Sequence, residues 1–306
     1  GQVWFNTVTT TLKGYAAQGT GAWASGGNAN TARYSAGGTG FQTAAIIAGG
    51  YTTENVAIVE SYDGSSWSEV GDLNTTRNTQ GHVGGRSTAA LAVGGEISQA
   101  SDATESWNGT SWTEVAEYNT SRKKGASAGT SNEDNLFTGG YAYGTTNAAV
   151  GNTELWNGTA WTELADLNDA GTSLGTFPSS PTSSTLVAGR EHSFADTCET
   201  WDGSSWSEIA EINTSRAIGG GMATNNSDAL LGGGFNAPGG TAVANTESWN
   251  GSSWTELADL ATARSNAGSG GGSASGIVMV GYLAPGSSAA TEEWDNAGAT
   301  KTLTVS

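Results

Sequence analysis

Few side chains in these 306 residues could do chemistry outside a repeating pattern. There are two histidines, His82 and His192, and one cysteine, Cys198. Two imidazoles that met in space could share a metal ion. His82 sits in a strand-like run and His192 in a loop, so each is expected to be an ordinary polar residue. Cys198 lies in the strand-like run DTCETW and reads as a buried thiol; with one cysteine no internal disulfide can form. No Gly-x-Ser-x-Gly, His-Glu-x-x-His or Gly-Lys-Ser/Thr occurs. The many glycines precede loops within a repeat, not a helix, so they do not form a phosphate cradle. No cofactor and no metal are expected. Carboxylates are plentiful, and a pair flanking a sugar could hydrolyse a glycosidic bond. A carbohydrate-active enzyme using acids near a channel is therefore carried as an alternative.

The acids are periodic. A phrase beginning ESYDGSSWSEV at Glu60 returns at Glu105, Glu154, Glu199 and Glu247, with a worn copy at Glu292. The steps are 45 to 49 residues, the period of propeller blades or two-helix repeats. Gly, Thr, Ser and Asn fill the period, and no apolar i, i+3, i+4, i+7 stripe runs through it, so strands are expected. Sixteen of the 29 acidic residues sit at three fixed positions of the repeat. The net charge of −18 thus follows from the repeat and names no ligand, but it disfavours nucleic acid and anionic membranes. No run of 18 apolar residues exists, so no membrane insertion is expected. No signal peptide is visible, and a start at Gly1 fits a processed or excised piece.

Each repeat reads as four short strands, a to d. In the second repeat Arg77 opens a Gly-rich strand a, TAALAVGG is strand b, and ATESW and TSWTEV are c and d around Asn108-Gly109. Asn-Gly between strand-like runs predicts a two-residue turn, which would set Glu105 opposite Trp112 and place the two tryptophans diagonally. Alternation then puts Glu105, Trp107, Trp112 and Glu114 on one face. The equivalent residues are Glu60 and Trp67, Glu154, Trp156 and Trp161, Glu199, Trp201 and Trp206, and Glu247, Trp249 and Trp254. The arginine ten residues after a second Trp (Arg77, Arg122, Arg216, Arg264) is expected to pair with a Glu of the preceding hairpin; in the fourth repeat Gly171 stands there.

An apolar strand ending in Gly-Gly, then a spaced aromatic, a Trp and an Arg resembles the kelch repeat of β-propellers. The copies are Gly49-Gly50 to Trp67, Gly94-Gly95 to Trp112, Gly139-Gly140 to Trp161 and Gly233-Gly234 to Trp254, with Ala188-Gly189 and Val280-Gly281 in the fourth and sixth. The resemblance covers about residues 20 to 300. It implies an all-β, six-bladed propeller, with seven blades as the alternative. Trp23 lies ten residues before Arg33, the spacing of every strand d, and is expected to close the ring as an N-terminal outer strand. The C-terminal ATKTLTVS competes for the same role. Residues 20–306 are read as one propeller domain and 1–19 as an N-terminal hairpin segment. GQVWFNTVTTTLKGY is similar to short aromatic hairpins in tail-fibre and appendage proteins of bacteriophages. That resemblance implies an extracellular setting, on a virion or cell surface.

Two enzyme families with propeller folds fit poorly. Galactose-oxidase-like enzymes need a copper site with two His and a Tyr–Cys pair. Sialidases carry a box that SYDGSSW approximates with one residue missing, and need a channel arginine cluster, whereas five of the arginines here recur with the repeat and Arg86 and Arg190 are the only others. Asn-x-Ser/Thr triplets are read as turn chemistry. Function is expected where the copies diverge, in the loops between strands b and c. These carry Tyr51, Tyr141, Tyr143, Arg190, His192, Phe194, Phe235 and Tyr282. Rings and small polar groups on one rim suit contact with a surface glycan or a protein receptor. The leading expectation is a non-enzymatic binding or structural propeller; a unit that assembles with itself or other appendage proteins is a further alternative.

Overall fold

The computed structural model describes residues 3–6, 11–14, 21–78, 83–143, 147–191, 196–236, 240–296 and 301–303. Among them the chain is all-β, built of small antiparallel sheets of three or four strands, as in a propeller. The second repeat is a meander of Val83–Arg86, Ala89–Val93, Thr104–Trp107 and Trp112–Val115, paired in sequence order. Repeats one, three and five build the same sheet, ending in Trp67–Glu69, Trp161–Glu163 and Trp254–Glu256. The fourth sheet has only Thr185–Ala188, Cys198–Trp201 and Trp206–Ile209, with Gly175 making a lone bridge to Ala188 where strand a is expected. In the sixth, Gly268–Gly272, Ser275–Leu283 and Gly286–Asp295 are joined by Ala22–Ser25 from the other end of the chain. Trp23 pairs with Trp294 there. The C-terminal strand Lys301–Leu303 instead joins Val3–Asn6 and Thr11–Gly14 in a separate sheet.

The turn between strands c and d differs from the two-residue expectation. Trp107 stands directly opposite Trp112, and Glu105 opposite Glu114, so four residues form the loop. Asn108 Oδ1 accepts the backbone N–H of Thr110 at 2.9 Å and of Ser111 at 3.0 Å, which satisfies a wider turn. The shared face survives, and the tryptophan rings meet across the strands at 5.3 Å. Strand-c tryptophans turn inward to their own repeat: Trp107, Trp156, Trp201, Trp249 and Trp294 each donate Nε1–H to a carbonyl of the a–b turn. Strand-d tryptophans reach the preceding repeat, as Trp206 does to Thr153 Oγ1 and Trp23 to Thr246 Oγ1, both at 3.0 Å. Each repeat thus buries its aromatic face partly on its neighbour.

The arginines also bind the opposite way from expectation. Arg33, Arg77, Arg122, Arg216 and Arg264 pair with Glu60, Glu105, Glu154, Glu247 and Glu292 of the hairpin that follows. All ten side chains are essentially buried. The second oxygen of the same carboxylate holds the preceding repeat. Asn74, seven residues after Trp67, donates its backbone N–H at 2.7 Å and its Nδ2 at 2.8 Å to Glu105. Asn119, Asn168 and Asn213 bind Glu154, Glu199 and Glu247 likewise. One carboxylate therefore takes charge-assisted bonds from both sides of a repeat junction.

Repeat four keeps this device by moving the arginine. Gly189 donates its N–H to Thr197 O as Gly94 does to Ala103 O, so the backbone doublet is Gly189-Arg190, not Ala188-Gly189. Arg190 is 2% exposed and pairs with Asp169 at 2.9 Å and Glu199 at 3.6 Å. A side chain on Gly171 would begin 3.3 Å from Arg190 Nη1, so glycine there leaves the room the guanidinium fills.

The innermost strands carry glycine because they approach closely: a Cβ on Gly270 would lie 2.6 Å from Gly40 O. Between repeats three and five the chain is irregular. Thr176 exchanges hydrogen bonds with Ser127, and Pro178-Ser179 crosses the space between inner strands. Gly85 N–H donates to Pro178 O at 3.1 Å, and Ser179 Oγ meets Gly40 O and Gly271 N, both at 3.2 Å. Residues of one repeat thus bond to repeats one, two and six.

Candidate ligand-binding rim

Strand junctions a–b and c–d lie together, as Gly109 against Thr88 shows. The b–c loops and the d–a segments share the other rim, where the arginines bond the b–c carbonyls. On this rim two b–c loops fold back as small hairpins. Tyr141–Ala142 pairs with Ala148–Ala149 and with Arg122–Lys123; Phe235–Asn236 pairs with Thr241–Ala242 and Arg216–Ala217. Two residues past five of the six arginine positions, those among the described residues, the backbone takes positive φ, at Ser35, Lys124, Ser173, Ile218 and Asn266. Ser35 N–H donates to Asn266 O, Ser173 to Lys124 O and Ile218 to Ser173 O, at 2.7 to 2.9 Å. That geometry turns Lys124 and its counterparts around the mouth of the inner strands.

Two hollows open here. One, of about 790 Å³, is lined by Lys123, Lys124, Tyr141, Tyr143, Asn147, Thr172 and Glu191 among others. The second, of about 360 Å³, is lined by residues of every repeat, including Ser35, Asn78, Glu96, Phe235, Asn266 and Tyr282. Lys124 and Glu191 border both, so the hollows adjoin. The larger falls in the range of small-ligand sites.

Ion pairs knit the floor. Lys124 Nζ lies 2.8 Å from Glu191 Oε2, which also accepts Ser173 Oγ–H at 2.5 Å. Lys123 Nζ lies 2.8 Å from Glu96 Oε2 and 5.0 Å from the Tyr143 ring centroid. Partial burial would raise the Glu191 carboxyl, but bonds from Lys124 and Ser173 outweigh it and hold it below the usual range. Partial burial would lower Lys123, but Glu96 and Tyr143 outweigh it and raise the ammonium. Glu191 and Lys123 are therefore charged at neutral pH. Tyr143 packs edge-on against Tyr141 at 5.0 Å and is 37% exposed. Among the described residues the other exposed large apolar side chain is Ile97, at 42%, beside Glu96 on the same rim.

The expected rim residues divide. Tyr141, Tyr143, Phe235 and Tyr282 line the hollows. Tyr51 stands aside in a cluster, its ring 5.3 Å from Tyr34, which in turn meets Tyr282 at 5.4 Å. Burial, with Tyr51 and Tyr282 beside it, raises the Tyr34 phenol. Arg190 lies inside as a junction residue. His192 and Phe194, and likewise His82, lie outside the described residues. Lys123 and Lys124 are the residues that sequence reasoning passed over; Glu96 and Glu191 lie in the b–c loops it pointed to but were not singled out. The signal was available: both lysines follow Arg122, and four of the chain's eleven cations are lysines. Among the described residues no cluster of His, Cys, Asp and Glu could hold a metal ion. The described inner strands carry no carboxylate that could serve a channel enzyme. No protein-family model matches the chain, and no curated protein matches it.

Proposed function

We propose that the chain is a six-bladed, kelch-like propeller, closed by its N-terminal strand, that works as a non-enzymatic binding module. The cyclic order of inner-strand contacts supports six blades: Gly37–Phe41 touches both Gly268–Gly272 and Val83–Arg86, the last touches Ala126–Ser131, and Thr176 bridges to Gly220. The binding face is the rim of b–c loops, and its ligand is a surface glycan or a protein. The observation that carries this reading is the pair of adjoining hollows, to which all six repeats contribute through their divergent segments. The repeated acids, by contrast, are spent on junctions or face solvent on strand d. The N-terminal hairpin, similar to phage appendage hairpins, supports a place on a virion or cell surface.

Binding of the purified protein to arrays of microbial polysaccharides and surface proteins tests the reading. Saturable binding is expected, lost in Tyr143→Ala or Phe235→Ala and kept in Glu114→Ala, which changes an exposed strand-d residue. Binding indifferent to both rim substitutions would move the site elsewhere, and turnover of a glycan by the wild-type protein would replace the binding reading with an enzymatic one.

A further inference from the structure

Resting on the rim reading above, we propose that the larger hollow takes a neutral, hydroxyl-rich saccharide and discriminates against carboxylated or sulfated ones. Two adjacent lysines in an acidic protein look like an anion hook, but the geometry points the other way. Lys123 is matched by Glu96 and Lys124 by Glu191, each at 2.8 Å. Lys123, Lys124 and Glu191 line the larger hollow and Glu96 lines the adjoining one; their side chains are between 13% and 36% exposed, so neither pair is sealed from a ligand. An anionic ligand would have to break a pair and leave a carboxylate facing its own charge. It would also approach a chain of net charge −18.

A sugar hydroxyl needs no such exchange. It can accept from an ammonium and donate to the neighbouring carboxylate while the pair stays intact. Tyr143, seated edge-on against Tyr141, offers an exposed ring to the C–H face of a pyranose. Glu191, fixed by Ser173 and Lys124, is the acceptor already oriented. The volume of about 790 Å³ leaves room for more than one sugar unit.

The test is titration calorimetry with neutral glucans, galactans and mannans, and with polyuronates and sulfated galactans, at about 20 and about 300 mM NaCl, which spans strong and weak screening. Saturable binding to a neutral polymer is expected, changing less than about twofold with salt, because no net ion pair forms. Tyr143→Ala should weaken it about tenfold, and Glu191→Gln by a similar factor, at unchanged melting temperature, since both lie on a solvated rim. Binding confined to charged polymers, or falling about tenfold across that salt range, overturns the proposal and leaves rim binding standing. Neutral-sugar binding that ignores both substitutions overturns the site. Failure to bind any saccharide overturns the proposal together with the glycan half of the proposed function.

Discussion

The junction between repeats one and two gives the sharpest test of how the chain holds together. Glu105 there is fully buried in strand Thr104–Trp107, and its carboxylate takes three donors: Arg77, the Asn74 backbone N–H at 2.7 Å and the Asn74 Nδ2 at 2.8 Å. Arg77 has alternatives, since Nη1 also donates to Gly94 O at 3.2 Å and Ala103 O at 2.7 Å. Burial nonetheless pushes the Arg77 guanidinium below its ordinary pKa, with Glu105 opposing. Removing one partner of a buried pair strands a charge and costs about 3–5 kcal/mol. In Arg77→Met the stranded carboxylate keeps both Asn74 donors, so the loss should fall near about 3 kcal/mol. In Glu105→Leu the arginine keeps two carbonyls, but the Asn74 N–H is orphaned as well, adding about 1–3 kcal/mol. Glu105→Leu should therefore be the worse of the two, and the double variant should lie between wild type and Glu105→Leu. Guanidinium unfolding followed by tryptophan emission measures all three, because Trp107 and Trp112 report on this sheet. A cost under about 1 kcal/mol for both single variants, or Arg77→Met proving the more harmful, would refute the assignment of the carboxylate as the junction's anchor.

The remaining predictions are briefer. Trp23→Ala should cost about 2 kcal/mol, somewhat below a fully buried tryptophan, because it strips a half-buried ring from Trp294 and a hydrogen bond from Thr246; an unchanged melting curve would count against the closing role proposed for the N-terminal strand. Cys198 is buried, and burial pushes its thiol up to about 12, so a thiol reagent at neutral pH should modify it only as fast as the protein unfolds. Rapid labelling of the native protein would contradict that placement. Asp63 and Asp202 are held at about 2 by hydrogen bonds, from the Ser66 N–H first for Asp63 and the Ser204 hydroxyl first for Asp202. Their folded pKa values lie below the ordinary 3.8, so what they contribute is whole above that value and fades as pH falls toward 2. Carbon NMR titration of the side-chain carboxyls should show midpoints near 2, and midpoints near 3.8 would dissolve the turn assignment.

Periodicity made the strands, their order and the aromatic hairpin face legible, because those depend on local alternation and on a phrase repeated often enough to mark its own boundaries. The N-terminal outer strand was legible for the same reason: Trp23 keeps the spacing of its copies. Register at the c–d turn was not. Asn-Gly favours a two-residue loop, but Asn108 spends its side-chain oxygen on two backbone N–H groups and stabilises four residues instead. The direction of the arginine pairing was equally hidden. Spacing fixes an arginine near two hairpins, and only the packed structure shows that the following one supplies the carboxylate.

Repeat four shows how the same physics survives a change of sequence and why copying alone misplaces function. By spacing, Arg190 stood among divergent loop residues and Gly171 among lost ones. In space they are one exchange: a side chain removed at Gly171 makes room for a guanidinium arriving from Arg190, and Glu199 keeps a cation. Divergence in a repeat protein is thus of two kinds. Some, such as Arg190, restores a buried charge balance that the junction demands. Some, such as Lys123 and Lys124 with Glu96 and Glu191, builds new balanced pairs at the surface where no junction requires them. A buried carboxylate left without a cation would be costly, so the first kind follows from stability. Surface pairs contribute little stability, so the second kind has no such cause. That difference supports the proposal that the lysine–glutamate pairs, with the tyrosines beside them, serve recognition rather than the fold.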